Sequence, residues 1–254
     1  EPNYSLPMVG RQAELRNIEE KLDLAKEGKS QVIGIVAEAG LGKSRLVAEV
    51  IRSARRKGFA GFGGSCQSDG LTSPYLTWKT IWTALFDIDP DAPLEKQIRI
   101  LEGKLKKHNS DRVEALPLLG PILNLDIPDN DFTRNLEPEQ RKNVLTTLLQ
   151  NCLVAASRSE PILIVMEDLH WIDALSHDLL EALAKALADC SVCFVLSYRP
   201  PELMRLQAPR IEALPYFTNI KLDEFTPAEG EQAVRAKLAQ LYPSQNGAAP
   251  SLLV

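Results

Sequence analysis

The chain has 254 residues, of which 44% are apolar, and a formal charge of −5. That is enough apolar material for the core of one large domain or of one and a half smaller ones, as in a globular protein. The acidic balance gives no electrostatic reason to expect a nucleic-acid backbone or an anionic membrane as ligand, so the expected partners include no nucleic acid and no membrane insertion. The apolar runs, such as residues 32–37 and 162–166, are far too short to cross a bilayer. Residues 1–7 read as a linker without a secretory signal. Of the four cysteines, only Cys190 and Cys193 stand at a metal-like interval. They open an apolar strand and read as buried structural thiols in a reducing, cytoplasmic setting.

In chain order, Leu15, Ile18, Leu22 and Ala25 recur at helical spacing, and Gly28 closes that helix. Residues 32–37 form a continuous apolar run before a glycine cluster, as in a strand buried on both faces of a parallel sheet. A helix with Leu46, Val47, Val50, Ile51 and Ala54 on one face follows and ends at Gly58. Residues 59–65 then read as a strand, completing a strand-helix-strand unit. Residues from 67 to about 137 are helical and broken by prolines, with Trp78, Ile81, Trp82 and Leu85 on one face. Pro138 suits the first turn of a long helix carrying Val144, Leu145, Leu148, Leu149, Cys152 and Leu153. A third strand spans residues 162–166. Asp173 is placed to cap a helix bearing Leu175, Leu179, Leu183 and Leu187, and residues 193–198 form a fourth strand. Residues 220–222 supply an edge strand, and Thr226-Pro227 starts a last helix. Strands alternating with helices predict an α/β fold with a mainly parallel sheet flanked by helices.

Between the first strand and its helix stand Ala37, Glu38, Ala39, Gly40, Leu41, Gly42, Lys43 and Ser44. This is the P-loop pattern with Ala37 in place of its first glycine. Backbone N–H groups of such a loop converge on phosphate oxygens at the positive end of the following helix. Lys43 would reach the β- and γ-phosphates and Ser44 would offer a hydroxyl to Mg. The alternative is a strand-to-helix turn with a surface lysine and a capping serine.

The third strand ends in Glu167-Asp168, and in open parallel sheets ligands collect at the carboxyl ends of strands. The P-loop, Glu167, Asp168 and Arg199 should therefore face one crevice. One acid would serve Mg and the other the attacking water, in either order; the shorter Asp168 at the second place argues for slow hydrolysis. Arg199, just before Pro200, would sense the γ-phosphate, unless it is a surface arginine paired with an acid. Lys43, Glu167, Asp168 and Arg199 are thus the catalytic candidates, and Ser44, Glu167 and Asp168 the Mg candidates. His170, Asp173, His177 and Asp178 are explained by a helix cap and exposed polar positions rather than a metal site. The basic run Arg52, Arg55, Arg56 and Lys57 reads as a solvated helix end.

Four motifs in order carry a family resemblance: Met8-Val9-Gly10-Arg11-Gln12-Ala13-Glu14-Leu15, Glu38-Ala39-Gly40-Leu41-Gly42-Lys43-Ser44-Arg45-Leu46, Glu167-Asp168-Leu169-His170-Trp171-Ile172-Asp173 and Ser197-Tyr198-Arg199-Pro200. Together they resemble the STAND class of P-loop, AAA-like signalling ATPases, specifically the ATPase region of adenylate and guanylate cyclases and related regulators. Residues 122–130 also resemble the helical insertion of cyclase-linked members. The resemblance implies that Val9, Gly10 and Arg11 lie beside adenine and ribose, that Glu38 through Arg45 surround the phosphates, and that Pro227 opens a helical lid over ATP or ADP. It further implies a P-loop domain over residues 8–225 and the beginning of a lid over 226–254. The chain then reads as a piece of a longer protein, with a cyclase domain upstream, sensor repeats downstream and a nucleotide-dependent oligomer as expected partners.

Three functions follow as expectations: a slow, Mg-dependent ATP-hydrolysing switch, a sensor that binds ATP or ADP without turnover, and a scaffold whose helical insertion binds partners. An oligomeric remodeller fits less well, since Arg134, Arg205 and Arg210 are arginine-finger candidates by residue type alone.

Overall fold

The computed structural model describes residues 8–67, 74–108, 110–200 and 210–241. Five strands, β1 (Gln31–Val36), β2 (Ala60–Ser65), β3 (Ile162–Glu167), β4 (Val192–Tyr198) and β5 (Phe217–Lys221), form one sheet in the order β2-β3-β4-β1-β5. Every pairing is parallel. Two helices, α1 (Gln12–Lys26) and α2 (Lys43–Arg56), lie on one face. The other face carries α3 (Leu76–Leu85), α4 (Leu94–His108), α5 (Gly120–Leu123), α6 (Asp131–Arg134), α7 (Pro138–Ser157) and α8 (Ala174–Ala186), and α9 (Pro227–Leu241) closes the described chain.

Alternation along the strands builds the two cores. Ile33, Ile35, Leu163, Val165, Cys193 and Val195 pack against Ile18, Leu22, Leu46, Val47 and Val50 of α1 and α2. Val32, Ile162, Ile164, Met166, Phe194 and Leu196 pack the opposite way, against Trp78, Trp82, Leu148, Leu149, Leu180 and Leu183. Trp78, Trp82 and Phe86 form a stacked row with centroids 6.1 and 5.6 Å apart, and the Trp78 indole donates to the Ser176 carbonyl at 3.0 Å. Strands buried on both faces explain why β1, β3 and β4 appear as unbroken apolar runs.

The predicted strand-helix-strand unit over β1, α2 and β2 has both strands, but they are not neighbours. Two strands, β3 and β4, lie between them, so β1 is interior and β2 forms an edge. The predicted edge strand at residues 220–222 is β5, which starts earlier and pairs with β1. Pro138 stands at the first position of α7, and the Asp173 carboxylate accepts from the Ser176 backbone N–H at 2.9 Å, capping α8. His170 and His177 depart from the expectation of exposed polar positions: both are 6% exposed, the first in the short helix Leu169–Trp171 after Asp168 and the second in α8. Cys193 is fully buried in β4 and Cys190 is half-buried just before it. No helix among the described residues is long and apolar enough to cross a membrane.

Candidate functional site

The sheet register brings the candidate residues to one edge. Val36 at the end of β1 pairs with Tyr198 at the end of β4, and the Ala37 N–H donates to the Tyr198 carbonyl at 3.3 Å. The first residue of the loop is thereby tied beside the residue preceding Arg199. Arg199 is half-exposed, and among the described residues it has no acidic ion-pair partner.

The loop turns through Gly40 and Gly42, with φ of +84° and +88°, values that side chains resist. Ala37 lies before this turn, so its methyl group meets no such restriction. The Lys43 amino group donates to the Ala37 carbonyl at 2.6 Å and the Glu38 carbonyl at 3.0 Å. The lysine folds across its own loop, at the concave side where N–H groups at the start of α2 converge. The Ser44 side chain, in the first turn of α2, comes within reach of the Glu167 carboxylate at the end of β3. Burial raises the Glu167 carboxyl above the ordinary range; the Ser44 contact opposes this, and Asp168 next door adds to the rise.

Asp168 is in the left-handed region at φ 54°, ψ 41°. Aspartate tolerates this conformation better than most residues, yet it still costs free energy, and such strain collects at functional sites. Its carboxylate lies 4.0 Å from His170 Nδ1 and is half-exposed. Behind the acids, Cys66 donates its N–H to the Glu167 carbonyl at 2.9 Å and contacts the Thr77 hydroxyl at 3.0 Å. Burial pushes its thiol up to about 11, so it remains neutral beside the carboxylates.

A separate cavity of about 250 Å³ adjoins the loop. Met8, Val9 and Arg11 line one side, Leu41, Gly42, Arg45 and Leu46 the floor, and Phe225 with Ala233 and Ala236 of α9 the other side. Its walls are mostly apolar. Arg11 crosses between them: its guanidinium donates to the Asp223 carbonyl, pairs with Glu14 at 3.3 Å and lies 4.9 Å from the centre of the Phe225 ring. Gly10, at φ +65°, lets Glu229 approach, since a Cβ there would stand 2.6 Å from its carboxylate. Glu229 in turn accepts from the Thr226 N–H at 2.9 Å and hydroxyl at 2.8 Å, bonds that hold its carboxyl below the usual range.

Of the expected nucleotide contacts, Val9, Arg11, Leu41, Gly42 and Arg45 line this cavity, with Gly10 immediately behind. Glu38, Ala39, Gly40, Lys43 and Ser44 belong to the neighbouring loop. Pro227 opens α9 but does not line the cavity. Sequence reasoning missed Met8, Phe225, Ala233, Ala236 and the Gly10–Glu229 approach. The Thr226-x-x-Glu229 capping pattern was the one signal that could have pointed to them. Among the arginine-finger candidates, exposed Arg134 is paired with Asp131 at 3.2 Å, while Arg205 and the Arg210 side chain lie outside the described residues.

A relative from Rhizobium meliloti (strain 1021), an uncharacterized protein, is 28% identical over 195 residues, covering 76% of this chain and 19% of its own length. The chain thus spans about a fifth of that relative. A solved structure of Drosophila ORC bound to DNA is similar over 93% of this chain and 48% of that one, with 13% identity and a TM-score of 0.51. The Aeropyrum pernix ORC1 protein in complex with DNA is 16% identical, over 94% of this chain and 57% of that one, with a TM-score of 0.44.

The Drosophila structure corrects one expectation. A protein of this fold was solved on DNA, so the charge argument against a nucleic-acid partner does not hold. Net charge is a sum over the whole chain, whereas contact with a phosphate backbone is decided by a local surface.

The family pattern described as the AAA ATPase domain matches residues 7–195. That span contains the loop, both acids and most of the sheet that aligns them. By this match the chain belongs to the AAA ATPase domain family.

Proposed function

We propose that this chain is a Mg-dependent ATP-binding module that hydrolyses ATP slowly and serves as a switch within a larger signal-transduction protein. Family membership already implies nucleotide binding and its usual dependence on Mg. The observation that carries the finer reading is the approach of the Ser44 hydroxyl to the Glu167 carboxylate, which joins the start of α2 to the end of β3.

The residues present fit ATP and Mg. The cavity has apolar walls suited to a purine ring, and the adjoining glycine turn and helix start suit an anion. Ser44 and Glu167 would hold the metal, which when bound neutralises phosphate charge. Lys43 would exchange the Ala37 and Glu38 carbonyls for phosphate oxygens. Asp168, on its left-handed backbone, would orient the attacking water, and Arg199 would contact the γ-phosphate. Val9, Gly10 and Arg11 would sit beside the base and ribose. We divide the chain accordingly into a nucleotide domain over 8–225, with a helical insertion near 67–137, and the start of a lid from 226. The STAND-class, cyclase-linked setting rests on the four sequence motifs, and the cytoplasmic assignment on four free cysteines.

Phosphate release from purified protein with Mg and ATP tests this reading. Turnover above a Lys43→Ala control supports it. Absence of turnover at high protein concentration, together with tight nucleotide retention, replaces it with a non-hydrolysing sensor. The half-exposed Asp168 carboxylate favours that second reading.

A further inference from the structure

We propose that the outer face of α4 is a docking surface for the phosphate backbone of a nucleic-acid duplex. Helical spacing places Lys96, Arg99, Gly103, Lys106 and Lys107 on one side of α4, opposite Leu101 and Leu105, which are fully buried. All five are exposed, and no acid stands among them on that side. Lys106 has a loose pairing with Glu102 on the flank, at 3.8 Å, and among the described residues no acid pairs with Lys96, Arg99 or Lys107. None of the five lines the nucleotide cavity, so the proposal stands apart from the nucleotide assignment.

Helix stability does not account for this row of cations. Lys106 and Lys107 complement the negative end of the helix, but Lys96 stands in the first turn, where a cation is disfavoured. Gly103 lies one helical turn from both Arg99 and Lys107, at the spacing from which an acid would pair with either. It offers no such charge and is a poor residue for a helix interior. A Cβ there would meet nothing within 4 Å, so packing does not require glycine. The uncompensated row runs from Lys96 to Lys107, about 16 Å along the helix.

The chemistry of the face selects its occupant. A protein partner would need apolar or aromatic anchors at the centre of its footprint, and Lys96, Arg99, Gly103, Lys106 and Lys107 offer none. A membrane-surface helix inserts its apolar side, whereas Leu101 and Leu105 are packed in the core. A single strand is held largely by stacking of its bases on aromatic side chains, which this face lacks. A duplex keeps its bases inside and presents a regular row of phosphates. Cations about 5 Å apart along α4, one per turn, are on the scale of phosphates that rise about 3.4 Å apiece along a duplex axis.

The test titrates this chain into fluorescein-labelled duplexes of about 20 base pairs, DNA in one arm and RNA in the other, and reads anisotropy at several salt concentrations. Saturable binding of at least one duplex is expected, with log K falling against log salt at a slope of about −3 to −4 for the four cations. Gly103→Glu sets a carboxylate within reach of Arg99 and Lys107, at an open position where glutamate is the better helix former, so the fold is kept. It should weaken binding about tenfold or more, whereas Gly103→Gln should not. Arg56→Glu reverses an exposed charge on α2 and should change binding less than about twofold. Anionic phospholipid vesicles and an unpaired strand of the same length should bind more weakly than the duplex. The proposal is overturned if neither duplex binds, or if Gly103→Gln or Arg56→Glu weakens binding as much as Gly103→Glu does. It is equally overturned if the vesicles or the single strand bind as tightly as the duplex.

Discussion

The Ser44 hydroxyl meets the Glu167 carboxylate where the first turn of α2 approaches the end of β3. The serine hydroxyl lowers the carboxyl pKa that burial raises. Removing it should raise that pKa further and take away an oxygen proposed to hold Mg. For Ser44→Ala, the difference between ATP affinity with and without Mg should shrink by about tenfold or more, read by titration calorimetry.

Glu167 also makes stability depend on pH. Its folded pKa lies above the ordinary 4.5, so the folded state holds this proton more tightly than the unfolded chain. The contribution is present below 4.5 and is lost as pH rises through the folded value. Glu167→Gln cannot ionise. Its Tm should exceed that of the native chain at neutral pH, with the gap closing toward pH 4, while phosphate release falls.

Gly10 is predicted to be intolerant of a side chain. Alanine would meet Glu229 and adopt an unfavourable positive φ, costing about 1 kcal/mol from the backbone alone. Glu229 would have to withdraw, loosening the Thr226 cap. Gly10→Ala should lower Tm and weaken nucleotide binding, whereas Gly58→Ala, at φ +87° with open space around it, should lower Tm alone.

Asp173→Ala removes the cap of α8 and should cost about 1 kcal/mol in urea denaturation without changing the slope of the transition. Trp78→Ala, which opens a cavity in the core and orphans the Ser176 carbonyl, should cost about 3–5 kcal/mol.

The features legible in the sequence are those set by short-range pattern. The apolar runs of β1, β3 and β4, Pro138 at the start of α7, the Asp173 cap and the glycine turn each depend on a few consecutive residues. The position of β2 was not legible, because strand order is chosen by which faces can be covered, and β1 has no local preference for β4 over β2. The burial of His170 and His177 escaped for a similar reason: a polar residue type says nothing of the layer folded over it. The far wall of the cavity was least accessible, since Arg11 meets Asp223 across 212 positions of sequence. The charge of −5 misled because it carries no information about where charges lie.

The interior position of β1 sets a division of labour in time. Its amides are shielded on both edges by β4 and β5, so hydrogen exchange across residues 32–36 should require opening of the whole sheet. The phosphate loop is therefore anchored to the slowest part of the molecule. By contrast, α9 is largely exposed along its length and is fastened at its start by Gly10, Arg11 and the Thr226–Glu229 cap. A response of this chain to ATP or ADP would then be read as a change in the exchange rates of α9, with those of β1 unchanged.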